Sequence, residues 1–445
     1  MTRLIFHIPL VVVLSASLAF ICVNSSTQLL IILIACLLLL VFLAQPEKSL
    51  LGYLIVSSLI DQSTHFFSDV GFGPHVIFRG GLTALLMFYW LFNKRNPLTF
   101  KAAIPMFMFL ALLTFNTLTS AKLQKGVSEL TKIVCWIFLL LTVADMVAQG
   151  KMVLKTIYQS LMLSVLIMII SVQVFNYFGV GYSSYNVGEV TGALAPHVIA
   201  VCLAIGLIVV ITRAIEQQNR LIMLLLLLFG IIMTISLMRT YVRTGYVAIV
   251  VVLLTLNFMY WLYRSPRRQR LILGAILVMM IGVISIYIYT HLEAVGQRFS
   301  DISESAMESG KIGSGRGSLW KVAFRTYASY SLFGKLFGGG YDTATAFFQG
   351  KTIGTHNTYL HILLWAGAAG LYLYLWTFIS LWRQMKSATQ SDYVPFIIAN
   401  TVIITYLVAE MTNGVIYYMY VTTFLSFLVG GALGYYKAKE NAMPG

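Results

Sequence analysis

Charged residues are what this 445-residue sequence has least of: Asp, Glu, Lys and Arg together make up 10% of it, while 59% is hydrophobic. Soluble globular chains carry about 25% charged residues, so a water-soluble enzyme is excluded at the outset. Acids are the scarcer sign, 15 Asp and Glu against 30 Lys and Arg. The cysteines are few (Cys22, Cys36, Cys135 and Cys202) and all fall in apolar runs without CxxC or CxH spacing. Disulfides and zinc are therefore not expected. No Asp-x-Asp, no Walker A sequence and no GxGxxG after a strand occurs. No metal or other cofactor is expected.

What the sequence does have is long hydrophobic runs, with a mean hydropathy of +0.85. At roughly 20 apolar residues per crossing, spans are expected near 4–23, 29–45, 50–66, 76–93, 102–119, 127–146, 152–175, 192–212, 221–237, 244–263, 271–290, 356–382, 394–412 and 414–436. The third is interrupted by Asp61 and His65. The first looks like a signal peptide but lacks a small-x-small cleavage site, so it reads as a retained helix. The fold class expected is an all-α polytopic integral membrane protein of about 12–14 transmembrane helices with one long extramembrane loop. It forms a single membrane domain over 1–445. Within it come N-terminal helices (1–190), helices with arginine-rich outer ends (191–290), the loop (291–355) and C-terminal helices (356–436).

The net charge of +15 would suggest nucleic acid in a soluble protein. In a membrane protein it reads as a topology signal, because basic residues collect on cytoplasmic loops. With both termini cytoplasmic, 17 of the 30 basic residues fall on inner segments and seven in the 291–355 loop. The short outer loops near 24–28, 67–75 and 176–191 contain none. The long loop then faces outward. So do Arg239 and Arg243, for which the topology rule gives no reason. The hydrophobic segments do not fall into two matching halves, as transporter repeats would.

Three clusters carry chemistry. In Ser236-Leu237-Met238-Arg239-Thr240-Tyr241-Val242-Arg243, arginines next to a membrane span mark function. A spacing of four places them on one face if the segment is helical. Two guanidinium groups suit a pyrophosphate, which Arg binds bidentately. The second cluster lies in the outer loop: Arg316-Gly317-Ser318-Leu319-Trp320, then Gly338-Gly339-Gly340-Tyr341-Asp342. Arg316 and Trp320 open an amphipathic helix and suit sugar-phosphate recognition. The glycine triplet reads as a turn, since no Gly-Lys-Ser/Thr follows at the P-loop spacing. The third is Thr355-His356-Asn357-Thr358-Tyr359-Leu360-His361, where the loop returns to the membrane. An imidazole at His356 can act as a general base near neutral pH. His361, five residues on, reads as structural, and Gly367 and Gly370 as close-packing positions. His197, after Pro196 at the outer start of a span, is a further candidate for the cavity. Asp61 and Glu410 are acids within spans.

Taken in order, Gly-x-x-x-Pro-His at 192–197, the Ser-x-x-Arg helix end, Arg-Gly-Ser-Leu-Trp, Phe-Gly-Gly-Gly-Tyr-Asp and His-Asn-Thr-Tyr-Leu resemble the O-antigen ligase and Wzy-type O-antigen polymerase superfamily of bacterial envelope glycosyltransferases. The resemblance covers about 190–380. It implies a metal-independent, inverting, GT-C-like transferase of the bacterial inner membrane, working at the periplasmic face in lipopolysaccharide or other polysaccharide biosynthesis. Its donor would be a glycan on undecaprenyl diphosphate and its acceptor a lipid-linked glycan or lipid A core. Membrane lipids, a flippase and a chain-length regulator would be its partners, and nucleic acid would not. His356 would be the base, Arg239 or Arg243 the pyrophosphate-binding arginine and Arg316 the basic residue of the outer loop. Trp320, Asn357, Tyr341 and His197 complete the expected substrate-binding set. Fourteen spans with one moderate loop favour a polymerase over a ligase. A lipid-linked sugar transporter, the alternative of another class, would want polar residues across the whole bilayer rather than at one face.

Overall fold

The structure, a computed structural model, describes residues 41, 44–63, 74–93, 95–178, 195–263, 265–293, 295–296, 316–348, 351–387 and 392–442. The expected span 4–23, most of 29–45, Cys22, Cys36 and the loop stretch 297–315 lie outside them. The other twelve expected spans each coincide with a helix. These are α1 (Pro46–Ser63), α2 (Pro74–Phe92), α3 (Ala103–Leu118), α4 (Leu123–Ala148), α5 (Leu154–Tyr177), α6 (Pro196–Glu216), α7 (Arg220–Met238), α8 (Arg243–Leu262) and α9 (Arg267–Thr290). After the loop helices α10 (Arg316–Ala328) and α11 (Leu332–Phe337) come α12 (Thr358–Lys386), α13 (Val394–Thr412) and α14 (Met419–Ala442). Among the described residues, nine helices are long and apolar enough to cross a membrane. The chain is an all-α polytopic membrane protein, with one departure among the described residues, inside the loop. Thr345–Phe348 and Lys351–Gly354 pair as a short antiparallel hairpin, Thr345 opposite Gly354.

Sequence decides which helices are central. α6 is apolar on every side and is almost wholly enclosed, as is α14, because a helix hydrophobic all round finds no polar face to turn outward. α7 and α9 are mostly exposed, presenting Leu221, Leu224, Leu228 and Ile232 as a membrane-facing wall. α14 lies against α4 at close range: a Cβ on Gly430 would stand 2.5 Å from the Leu140 carbonyl oxygen, and one on Gly434 2.1 Å from that of Ala144. Small residues allow this approach where helices must associate by packing alone.

α12 is broken at Gly367, whose φ of 68° and ψ of −167° are open only to glycine. The break receives the loop. A Cβ on Gly338 (φ 95°) would lie 2.1 Å from the Trp365 carbonyl oxygen, and one on Gly367 2.4 Å from that of Leu336. Gly339 N–H donates to the Leu364 carbonyl at 2.9 Å, so a carbonyl freed by the break is paired again, as non-helical backbone at membrane depth requires. The glycine triplet is thus the turn that fits the loop into a broken membrane helix. Asp342 follows it and accepts from the backbone N–H groups of Ala121 (2.6 Å) and Lys122 (2.7 Å), capping the start of α4 from a distance.

Candidate active site

The 239–243 segment is not one helix. α7 stops at Met238, Arg239 is its C-cap, and Tyr241 takes a left-handed φ of 49°, rare for a bulky residue. Arg243 then opens α8. The expectation that the two arginines share a helical face is therefore corrected. They flank a tight turn, held by Thr240 N–H to the Leu237 carbonyl and Tyr241 N–H to that of Met238, both 3.1 Å. Both side chains are half-buried.

A hub forms where α13 ends, at Met411-Thr412-Asn413. Arg316, the first residue of α10, donates through Nη1 to the Thr412 carbonyl at 2.6 Å and through Nη2 to Asn413 Oδ1 at 3.2 Å. A cation at a helix C-terminus satisfies carbonyls left without intrahelical partners. Asn413 Nδ2 donates to the Thr244 hydroxyl at 2.7 Å, and Thr244 and Thr412 hydroxyls stand 2.9 Å apart. Thr244 follows Arg243 directly, so the start of α8 is wired to the same turn. From the other side, Asn357 Nδ2 donates to the Met411 carbonyl at 2.9 Å. Its Oδ1 accepts from Leu360 N–H at 3.0 Å, making it the N-cap of α12.

His356 is held between these anchors. Its neighbour Thr355 accepts from the Trp320 indole N–H at 3.1 Å through its carbonyl, and donates its hydroxyl to the Asn357 carbonyl at 2.8 Å. His356 has φ 49° and is exposed. A non-glycine residue kept in this strained region by hydrogen bonds on both sides is a feature that clusters at functional sites. Partial desolvation and then the nearby positive charge of Arg316 lower its pKa below the ordinary imidazole value of 6.5, so the ring is neutral at neutral pH.

His197 joins the same neighbourhood. It sits in the first turn of α6, edge-on to the Tyr418 ring at 5.0 Å, and the charges of Arg316 and His356 act on it. Tyr341 belongs to a different cluster: it is buried against Trp365 (5.2 Å) and His361 (6.1 Å), and burial, then Glu129, pushes its phenol up to about 12. His361 is buried among Tyr341, Trp365 and Tyr417. Lys132 pairs with Glu129 at 2.6 Å.

Four expected residues thus converge through the hub or its charges, His356, Asn357, Arg316 and His197, and Arg243 adjoins the hub in sequence through Thr244. Trp320 supports them from behind. Arg239 lines a cleft with residues of α5, α6 and α7. Sequence reading missed the hub itself. Its signal was Thr412-Asn413-Gly414, a polar tripeptide between two apolar runs that passed for a boundary between spans.

Fold and site together define a polytopic membrane protein with a cationic, histidine-bearing polar site at one end of its helix bundle. Residues 228–375 match the family model Wzy_C, described as O-antigen ligase, and this bears out the resemblance to the O-antigen ligase and Wzy-type superfamily. The matched stretch runs from α7 into α12, and so contains Arg239, Arg243, Arg316 and His356. No curated protein matches the chain.

Proposed function

We propose that the chain is a glycosyltransferase acting on lipid-linked glycan at the periplasmic face of a bacterial inner membrane, with His356 as general base. The observation that carries this reading is the hub: a neutral, strained, exposed histidine set beside Arg316 and the Arg243 turn. An acceptor hydroxyl gives its proton to a His356 ring nitrogen as its oxygen attacks the anomeric carbon from the face opposite the diphosphate. The anomeric C–O bond breaks, its electron pair passes to the diphosphate, and configuration inverts. Fixed guanidinium groups stabilise such developing charge, and Arg243 with Arg316 is the pair on hand. Diphosphate leaves readily, so a general acid is not needed. Asn357 and Trp320 act through His356 by fixing its backbone.

Within this reading the donor is a glycan on undecaprenyl diphosphate and the activity is polymerisation of repeat units. The ligase reading, transfer to lipid A core, shares the same chemistry. Mass and gel analysis of surface glycans separates them, in a strain lacking the gene and complemented with wild type or His356→Ala. Single repeat units on their normal acceptor or on carrier identify a polymerase; full-length glycan stranded on carrier beside bare lipid A core identifies a ligase. Full complementation by His356→Ala removes the proposed base in either case.

A further inference from the structure

The loop helix α11, Leu332-Phe333-Gly334-Lys335-Leu336-Phe337, leaves its large apolar side chains uncovered. Leu332 is 76% exposed and Phe333 64%, and Leu336 and Phe337 are exposed with them. At about 100° per residue these four span an arc of about 140°, and Lys335 falls outside it. A contiguous apolar face on a surface segment marks something that covers it. The depth of the helix says what does so. Trp382, Arg383 and Lys386 close α12, with Lys386 Nζ 4.6 Å from the Trp382 ring centre, the basic and aromatic pairing of a membrane boundary. From Arg383 back to Gly367 is sixteen residues, a rise of about 24 Å within a hydrocarbon core about 30 Å thick. Gly367 is where α11 docks, since a Cβ there would lie 2.4 Å from the Leu336 carbonyl oxygen. α11 therefore sits just inside the hub-side edge of the bilayer rather than above it.

The surroundings agree. Directly after the docking point, Ala368, Tyr372, Leu375 and Ile379 form an exposed stripe of α12, at the spacing of one helix face. On the other flank Asn116 Nδ2 donates to the Phe337 carbonyl at 2.7 Å, and α3 exposes Phe115 and Leu118 next to that asparagine. Charge is one-sided: from Arg316 to Tyr341 the sequence has four basic residues and no acid. Lys321, Phe324 and Arg325 are exposed together on α10. We infer that α11 is an interfacial anchor laid in the bilayer edge between α3 and α12, and that its partner is anionic phospholipid. Acyl chains meet Leu332, Phe333, Leu336 and Phe337, and phosphates meet Lys321, Arg325 and Lys335. Segments that lie in the interface bind by this sum of apolar insertion and attraction to anionic lipid. The anchor reaches the hub through α10, since Tyr327 Oη donates to the Lys335 carbonyl at 3.0 Å and Arg316 opens the same helix. This lipid positions the loop and is neither donor nor acceptor.

The test is spin-label accessibility in the full chain, with native cysteines replaced, in phosphatidylglycerol nanodiscs. Labels at Leu332→Cys and Phe333→Cys are compared with Leu228→Cys on the membrane-facing wall of α7 and Glu440→Cys in the exposed last turn of α14. Collisions with oxygen, which concentrates in hydrocarbon, and with a water-soluble nickel chelate give the depth of each label. The α11 labels are expected to side with Leu228→Cys, at about 5–10 Å into the boundary between head groups and acyl chains. Access to the nickel chelate equal to that of Glu440→Cys overturns the inference, because α11 then stands in water. Shielding from both reagents overturns it too, because protein then covers the face, as a second copy or another segment of the chain. Exchange of phosphatidylglycerol for phosphatidylcholine is expected to shift both labels toward the head groups. Lys321→Gln, Arg325→Gln and Lys335→Gln combined, in phosphatidylglycerol, should do the same. A depth indifferent to both changes overturns the choice of anionic lipid. Depth is read without turnover, so loss of the glycosyltransferase reading and loss of the anchor are separate results.

Discussion

At the residue scale, the proposed chemistry turns on one imidazole and the charge beside it. His356 must be neutral to accept a proton, and its lowered pKa keeps it so. Turnover is therefore expected to hold as pH falls through the ordinary imidazole range near 6.5 and to decline only below it. Arg316→Gln removes a positive charge that favours the neutral ring, so the acid limb of the pH–rate profile should move to higher pH, whatever happens to the maximum rate. An unmoved limb would mean that Arg316 does not act on His356. These residues were legible in the sequence because an arginine or histidine beside a membrane span has few bland explanations. That Arg239 and Arg243 flank a turn was not. It depends on a left-handed Tyr241, and nothing in Arg-Thr-Tyr-Val-Arg announces that a helix breaks there.

At the element scale, helix ends do the positioning. Asn357 caps α12 and holds the end of α13 at once. Asn357→Ala should cost about 1 kcal/mol of stability as a lost cap, read by thermal unfolding in detergent. It should lower turnover more than that loss explains, because His356 is freed from its strained backbone. Wild-type turnover would show that the tether is only structural. Gly367→Ala tests the broken helix: an alanine at φ 68° with the Leu336 carbonyl 2.4 Å away should cost at least about 1–3 kcal/mol and loosen the docked loop. The sequence marked Gly338–Gly340 as a turn and Gly367 as a packing position. That the two meet could not be read from it, since the contact joins residues whose pairing is set by the tertiary fold.

The whole molecule was the most legible of all, because bilayer thickness sets helix length and the absence of charge marks the spans. Twelve expected spans recur as helices, while the hairpin at 345–354 was missed because its strands are only four residues each. The hub, the 239–243 turn and the capped start of α4 all lie at one end of the bundle. On the basic-residue pattern, we propose that this end faces outward. Single cysteines at Lys321 and Lys437, in a background without native cysteines, should give opposite results with a membrane-impermeant thiol reagent on intact cells with a permeabilised outer membrane: Lys321→Cys labelled, Lys437→Cys protected. The reverse would place the site in the cytoplasm and end the proposed reaction.

The most direct test of the central claim is turnover by the purified full-length protein on lipid-diphosphate-linked repeat units, comparing wild type with His356→Ala at matched thermal stability. Loss of a general base predicts a fall of about 10²–10⁴-fold with binding of the donor retained. Turnover close to wild type in His356→Ala would contradict the account, because the hub would then hold no base for the reaction.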